Sequence, residues 1–465
     1  MQYIENKTFA ELKVGDSAEL VRTLKPEDIE LFAVMSGDVN PAHVDEDYAK
    51  SDMFHKVIAH GMWGGALISA VLGTELPGPG TIYLNQNLSF RNAVGVGDTV
   101  TVRVTVAALK PKHNHVTLDC LCINQKGETV IEGQALVVAP TEKVRRPRAA
   151  LPEVHLHVRG ARFDELVKAT ASLKPVVAAV VHPCDPLSLE GALEAGAKGM
   201  IVPVLVGPIA KIEAAASEIK RDLSRIEIVD VPHSHAAAEH AVAMARAGKV
   251  QMLMKGKLHT DELLGPVVDR QTGLRTERRM SHVFALDVPT YPKPLLISDA
   301  AINIFPDLST KRDIVQNAID LARALGIDLP KVALLSAVET VTSKIPSTVD
   351  AAALCKMAAR GQITGGLLDG PLAFDNAVSK AAAGTKGILS DVAGDADILI
   401  VPDLEAGNMI AKQLIYLAGA DSAGLVLGAR VPIVLTSRSD GLMSRLASAA
   451  MAQILVHYQA IGAQS

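Results

Sequence analysis

HGMWGGALISAVLGTEL, residues 60–76, decides how the first part of the chain folds. It is apolar on nearly every side, so as a helix it has no face suited to water and is expected to be buried all round. Gly61, Gly64, Gly65 and Ala66 carry almost no side-chain bulk, which lets a sheet approach the helix closely. Outward from it the period changes. TVTVRVTVA, residues 99–107, alternates strictly: Val100, Val102, Val104 and Val106 share one face, Thr101, Arg103 and Thr105 the other. A period of two marks a half-buried antiparallel strand. Residues 115–124 and 130–139 continue the pattern, with Gln125-Lys126-Gly127 as a turn. Trp63, inside the apolar helix, reads as core packing.

One buried helix wrapped by a curved antiparallel sheet is the hot-dog architecture, expected over residues 1–140. Composition sets the limits around it. With Lys+Arg 46 against Asp+Glu 51, the net charge of −5 gives no basic field for nucleic acid or an anionic membrane. Hydrophobic residues at 49% against 21% charged exclude a disordered chain. Aromatics at 3% mean that cores are built from Ala, Val, Leu and Ile, which suits buried parallel strands. Cys120, Cys122, Cys184 and Cys355 are too sparse for a disulfide scaffold, and the first two read as packing residues on one strand face. The N-terminal residues lack a cationic region followed by an apolar stretch, and no apolar run approaches the ~18 residues of a membrane helix. A cytoplasmic protein without membrane contact is expected.

Residues 141–160, with Lys143, Arg145, Arg146 and Arg148, read as a basic, solvated linker. From 161 to 465 short apolar strands such as PVVAAVVHP and QMLMKG alternate with helical stretches such as HAAAEHAVAMARAGK. Repeated βα units imply mostly parallel sheets with helices on both faces, a three-layer α/β domain. Its length points to two lobes with a cleft. In such sheets ligands sit beyond the carboxyl ends of strands, so the polar residues there matter most.

In the first region MSGDVNPAHVDEDYA holds Asp38, Asn40 and His43, followed downstream by His60-Gly61. The Asn-Pro step turns the chain and can bring Asp38 beside His43. Such a pair can activate a water and return a proton across a double bond, as hydration of an enoyl thioester requires. Gly61, opening the apolar helix, offers a backbone N–H to the thioester oxygen. SGDVNPAHVD, the later HGM and RNAVGVGDTVTVRV resemble the MaoC-like (R)-specific enoyl-CoA hydratases over residues 8–140. The resemblance implies Asp38 and His43 as the catalytic dyad, Gly61 as oxyanion donor, Asn40 as a structural or substrate-orienting neighbour, and His60 beside the substrate.

In the second region six polar clusters follow strands: KGKLHTDELL (255–264), SHVF (281–284), ISDAAINIFPD (297–307), DGPLAFDNAVS (369–379), PDLEAGNMIAK (402–412) and TSRSD (436–440). Loops opening helices offer N–H groups to phosphate, and Arg438 adds a fork-shaped cation. No G-x-x-x-x-G-K-[ST], G-x-G-x-x-G after a strand or G-x-S-x-G occurs, which argues against P-loop, dinucleotide and serine-hydrolase chemistry. In this order the clusters resemble the phosphate acetyl/butyryltransferases over residues 160–460. The resemblance implies lobes at 161–297 with 437–465 and at 298–436, CoA and acyl phosphate meeting between them. It implies Arg438 on phosphate, Ser437 on the thioester, and Lys257, Thr260, Ser281, Asp299 and Asn408 about the substrate. Where the acetyl branch has a catalytic Asp, the corresponding place in this chain, near Ser444, is not an acid; Asp440 is the nearest carboxylate and the substitute base. An arginine of that branch is replaced by Gly265, with Arg270, Arg275, Arg278 or Arg279 as compensating candidates. These departures lean towards the butyryl branch.

The expectation is a bifunctional acyl-CoA enzyme: it hydrates trans-2-enoyl-CoA to (R)-3-hydroxyacyl-CoA and exchanges an acyl group between CoA and phosphate. CoA thioesters, CoA and phosphate or acyl phosphate are its substrates. No permanently bound cofactor or metal is expected; His155 with His157, and His233, His235, Glu239 and His240, are potential ligands by type but read as solvated. A homo-oligomer, dimer or higher, is expected. Two alternatives stand: a hot-dog that only binds acyl-CoA or drives assembly, and a C-terminal metal-dependent dehydrogenase of related fold.

Overall fold

The computed structural model describes residues 3–151, 154, 156, 158–436 and 440–462. The chain divides into two compact units, Met1–Leu156 and His157–Ser465, the division falling inside the segment expected to be the linker. Part of that segment is regular: Arg145–Pro147 pairs antiparallel with Tyr3–Glu5.

In the first unit a five-stranded antiparallel sheet runs in the order Ser17–Thr23, Thr99–Lys110, His115–Asn124, Thr129–Val138, Ile82–Phe90. It packs on the helix Gly61–Thr74. Val100, Val102, Val104 and Val106 are all buried, facing Ile68, Val71 and Leu72 in one core. The alternation therefore has its physical cause: one strand face removes valine from water, and the other leaves Thr101 and Arg103 at the surface. Gly64 allows the close approach, since a Cβ there would meet Ile131 Cδ1 at 2.3 Å. Trp63, Gly64, Gly65 and Ile68 are buried, but Gly61, Met62, Ala66, Ser69 and Ala70 are exposed. This corrects the all-round burial expected of the helix: within one chain the sheet covers one side only.

The second unit contains one eleven-stranded mixed sheet. Its first half runs Glu227–Asp230, Ile201–Gly207, Val176–Val181, Met252–Lys255, Ile433–Val434, all parallel. Asp421–Leu427, Ser281–Asp287 and Leu295–Ser298 then follow in antiparallel pairings. Ile398–Ile400, Lys331–Leu335 and Leu367–Leu372 continue parallel to the last of these. Ile433–Val434 pairs with Leu253 and Met254, in the first half of the sheet. Alanine does the packing on the flanking helices: Ala237, Ala238, Ala241 and Ala245 of Ser234–Arg246 lie against the strands. Among the described residues no helix is long and apolar enough to cross a membrane.

Candidate active sites

Three local devices assemble the first site. Gly37, at φ 75°, ends the helix Pro26–Ser36 by donating its N–H to Ala33 O at 2.8 Å, a left-handed turn that glycine adopts without strain. Asp38 follows, its Oδ1 accepting the Asn40 N–H at 3.2 Å. Asn40 in turn caps the short helix Pro41–Val44, its Oδ1 accepting the Ala42 N–H at 3.2 Å. Asn40, expected as a structural or substrate-orienting neighbour, holds the loop. His43 Nδ1 lies 2.9 Å from Ile58 O, and His60 Nε2 lies 3.0 Å from Asp38 O. Carbonyls only accept, so His43 carries its proton on Nδ1 and His60 on Nε2. The two rings are 4.0 Å apart, and Phe32 stacks on His60 at 4.8 Å. One donor atom each from Asp38, His43 and His60 lies within 4.8 Å of the others. His60 is buried, a neighbour that steadies the site, whereas Asp38 is exposed.

His43, His60 and Gly61 open onto a cavity of about 270 Å³ whose walls include Trp63, Phe90, Val130 and Ile131. Gly61 is the first residue of the helix Gly61–Thr74, where N–H groups have no acceptor inside the helix. A polar rim over an apolar interior suits a thioester whose acyl part is hydrocarbon. Trp63 is therefore both core and cavity wall.

In the second unit Val176–Val181, Met252–Lys255 and Ile433–Val434 are adjacent and parallel, so their carboxyl ends lie side by side. The loops beyond them interlock. Gly256 N–H donates to Val181 O at 2.9 Å, Lys257 N–H to His182 O at 2.8 Å, and His182 Nδ1 to Lys257 O at 2.7 Å. A Cβ on Gly256 would stand 2.5 Å from two of those carbonyls, so this approach requires glycine. Lys257 is exposed at this edge, and Thr260 opens the helix Thr260–Val268. Ser437 and Arg438 lie outside the described residues, as do His155 and His157. Their flanks are described: Thr436 is buried, and its Oγ1 accepts from Arg445 Nη1 at 2.9 Å. Burial holds the Arg445 guanidinium below its usual range while the charges of Asp185 and Asp440 pull it back up. Arg445, the one Lys or Arg in the 21-residue, largely apolar helix Leu442–Gly462, had no motif to mark it.

Two residues expected to touch substrate belong to the interior. Ser281 is fully buried, its Oγ accepting from Asn317 Nδ2 at 2.9 Å. Asp299 is buried too; Oδ1 accepts from the N–H groups of His282, Ala301 and Ile302, and Oδ2 from the backbone and side chain of Asn303. Burial pushes its carboxyl above the usual range against those hydrogen bonds. Asn408 is half-buried and donates to Ala300 O at 3.3 Å, tying the same loop. Asp299 and Asn408 build the turn after Leu295–Ser298, whereas Ser281 is tied to Asn317. His282, not singled out from sequence, is wholly buried, and burial lowers it to about 4 against a hydrogen bond with the Leu435 backbone. Arg278 is engaged with Asp320. Among the described residues the only group of three or more His, Cys, Asp or Glu spaced for a metal is Asp38, His43 and His60; His233, His235, Glu239 and His240 form none.

Residues 234–453 match the family described as phosphate acetyl/butaryl transferase, and residues 10–119 the MaoC like domain. The phosphate acetyltransferase of Rhizobium meliloti is 64% identical over 294 residues, 63% of this chain and 93% of that protein. The crystal structure of a branched-chain phosphotransacylase from Enterococcus faecalis V583 is similar at 31% identity and TM-score 0.53, covering 61% of this chain and 99% of that one. R-hydratase PhaJ1 from Pseudomonas aeruginosa is 43% identical over 34% of this chain and 100% of its own, with a TM-score of 0.33.

Proposed function

From a chain that belongs to the phosphate acetyl/butyryltransferase family and carries a MaoC-like domain ahead of the family's region, we propose a bifunctional acyl-CoA enzyme. Its second unit exchanges an acyl group between CoA and phosphate. Its first unit adds water to a trans-2-enoyl-CoA, giving the (R)-3-hydroxyacyl-CoA. The observation that supports hydration beyond mere thioester binding is that His43, which lines an apolar cavity, has the Asp38 carboxylate within 4.8 Å.

In hydration, the lone pair left on His43 Nε2 and the Asp38 carboxylate hold the water and take its proton as its oxygen attacks C3. The proton returns to C2, and Gly61 N–H steadies the charge on the thioester oxygen. In transfer, the CoA thiol loses its proton to Asp440, the thiolate attacks the acyl phosphate carbonyl, and phosphate leaves against Arg438 while Ser437 steadies the tetrahedral species. Lys257 and Thr260 line the same edge. Between the two branches we favour acetyl transfer over the butyryl lean of the sequence, a reading supported by the 64% identity to a relative named for acetyl transfer.

The purified full chain should hydrate crotonyl-CoA and release CoA from acetyl-CoA with phosphate faster than from butyryl-CoA. Acyl transfer without crotonyl-CoA hydration would favour the binding or assembly reading of the first unit. A homo-oligomer belongs to the proposal, supported by exposed Met62, Ile82 and Phe90; a monomer by light scattering would overturn that part.

A further inference from the structure

We propose that Asp38, His43 and His60 form a binding site for a first-row divalent transition cation such as Zn²⁺, and that its occupancy blocks hydration. The site goes beyond the reaction just described, which uses two of these residues without a metal; the blocking half rests on that reading and the binding half does not.

Three observations carry it. One donor atom from each side chain lies within 4.8 Å of those of the other two, which gathers three ligand atoms of metal-binding type in one place. Each imidazole is oriented by a backbone carbonyl, His43 Nδ1 on Ile58 O at 2.9 Å and His60 Nε2 on Asp38 O at 3.0 Å. That is the arrangement by which metal-binding histidines are held, one nitrogen donating to the protein and the other left with its lone pair. Finally, His60 Nδ1 is buried and has no hydrogen-bond partner, and His60 is 2% exposed and lines the cavity. A buried nitrogen lone pair without a partner is costly unless something accepts it.

The donor set selects the ion. Two imidazoles and one carboxylate suit Zn²⁺, Co²⁺, Ni²⁺ or Fe²⁺; Mg²⁺ and Ca²⁺ prefer oxygen. Because the cation would occupy the His43 lone pair and the Asp38 carboxylate, it would displace the water that hydration needs. No bond to carbon forms or breaks; this is competition for two bases.

The test is calorimetric titration of the metal-free full chain with ZnCl₂, repeated with Asp38→Asn and His60→Asn, alongside crotonyl-CoA hydration at each zinc concentration. We expect one zinc equivalent per chain that weakens about tenfold or more in either variant, with hydration falling over the same concentrations. Co²⁺ should give visible ligand-field bands in the wild type that both variants lack. Unchanged zinc affinity and stoichiometry in Asp38→Asn would overturn the site. That substitution is at an exposed position, so it decides the matter even if His60→Asn fails to fold. Zinc binding lost in the variants with hydration untouched in the wild type would overturn the blocking half. A metal-free protein that hydrates nothing would sink the hydratase reading while the calorimetry still judges the site.

Discussion

His60 donates from Nε2 to the main-chain carbonyl of Asp38 at 3.0 Å, across 22 residues of sequence. The residue that precedes the apolar helix thereby fixes the loop that carries the carboxylate. Its ring packs against both Phe32 and His43, so one side chain helps to set the positions of Asp38 and His43.

His60→Phe keeps the ring packing and removes the donor. One neutral hydrogen bond contributes roughly 1 kcal/mol, so hydration kcat should fall about five- to tenfold with little change in KM for crotonyl-CoA. His60→Gln, whose amide can donate near the same point, should recover part of the loss. Equal damage in both variants would mean that His60 acts only through packing.

Asp38→Asn removes one acid–base group from an exposed loop. Hydration should fall on the order of 10²–10⁴, while acyl transfer by the second unit stays at the wild-type rate. Hydration within a few-fold of wild type would remove Asp38 from the mechanism.

The strictly alternating valines made the first sheet legible, because a period of two admits one explanation when the partner helix is apolar. The open side of that helix was not legible: its composition says which side chains avoid water, not how much of them one sheet can cover. The nearness of Asp38 and His43 could be read because a turn and a cap are local, and Asn40 lies two residues from Asp38. Ser281 and Asp299 misled for the opposite reason. Whether a hydroxyl faces substrate or the interior depends on a partner such as Asn317, which lies 36 residues away. Arg445 was invisible because a cation between Ser444 and Leu446 reads as a solvated helix position.

Two glycines should respond with opposite sign. A Cβ on Gly133 would stand 2.1 Å from Asn87 O in the neighbouring strand, where backbone cannot yield cheaply. Gly133→Ala should cost about 1–3 kcal/mol of the first unit's stability. Gly73, in the helix Gly61–Thr74, has open space where a methyl group would stand, with nothing within 4 Å. Gly73→Ala should stabilise by roughly 0.5–1 kcal/mol through helix propensity. Urea unfolding of both variants checks the pair, and a loss in Gly73→Ala as large as in Gly133→Ala would refute the steric argument.

Acid should weaken the second unit through His282. Burial lowers its imidazole to about 4 from an ordinary 6.5. Above pH ~6.5 neither folded nor unfolded chain protonates it; between there and about 4 the unfolded chain takes up the proton and the folded one does not. Stability therefore falls as pH falls through that window, by at most about 3 kcal/mol, and levels off below it. His282→Gln, measured by urea midpoint at pH 7.5 and pH 5, should flatten this dependence. An unchanged slope would assign the acid limb to other groups.

Arg445 offers the sharpest test of the second site. Its Nη1 donates to Thr436 Oγ1 at 2.9 Å, at the residue where the chain enters the Ser437-Arg438 segment. Asp185, beyond the strand Val176–Val181, and Asp440, beyond the segment, both act on its charge. One buried cation is thus tied to both flanks of the Ser437-Arg438 segment, Thr436 and Asp440. Arg445→Met keeps much of the apolar stem, but it leaves Thr436 without its donor and two carboxylates without their common counter-charge. A hydrogen bond to a charged group contributes about 1.5–3 kcal/mol, so acyl transfer should fall roughly 10- to 100-fold in kcat/KM. Arg445→Lys should restore the charge but not the fork that reaches Thr436, and so recover only part of the rate. Crotonyl-CoA hydration should stay at the wild-type level in both. If Lys restores transfer completely, the charge alone matters; if Met leaves transfer unchanged, Arg445 has no part in holding the site.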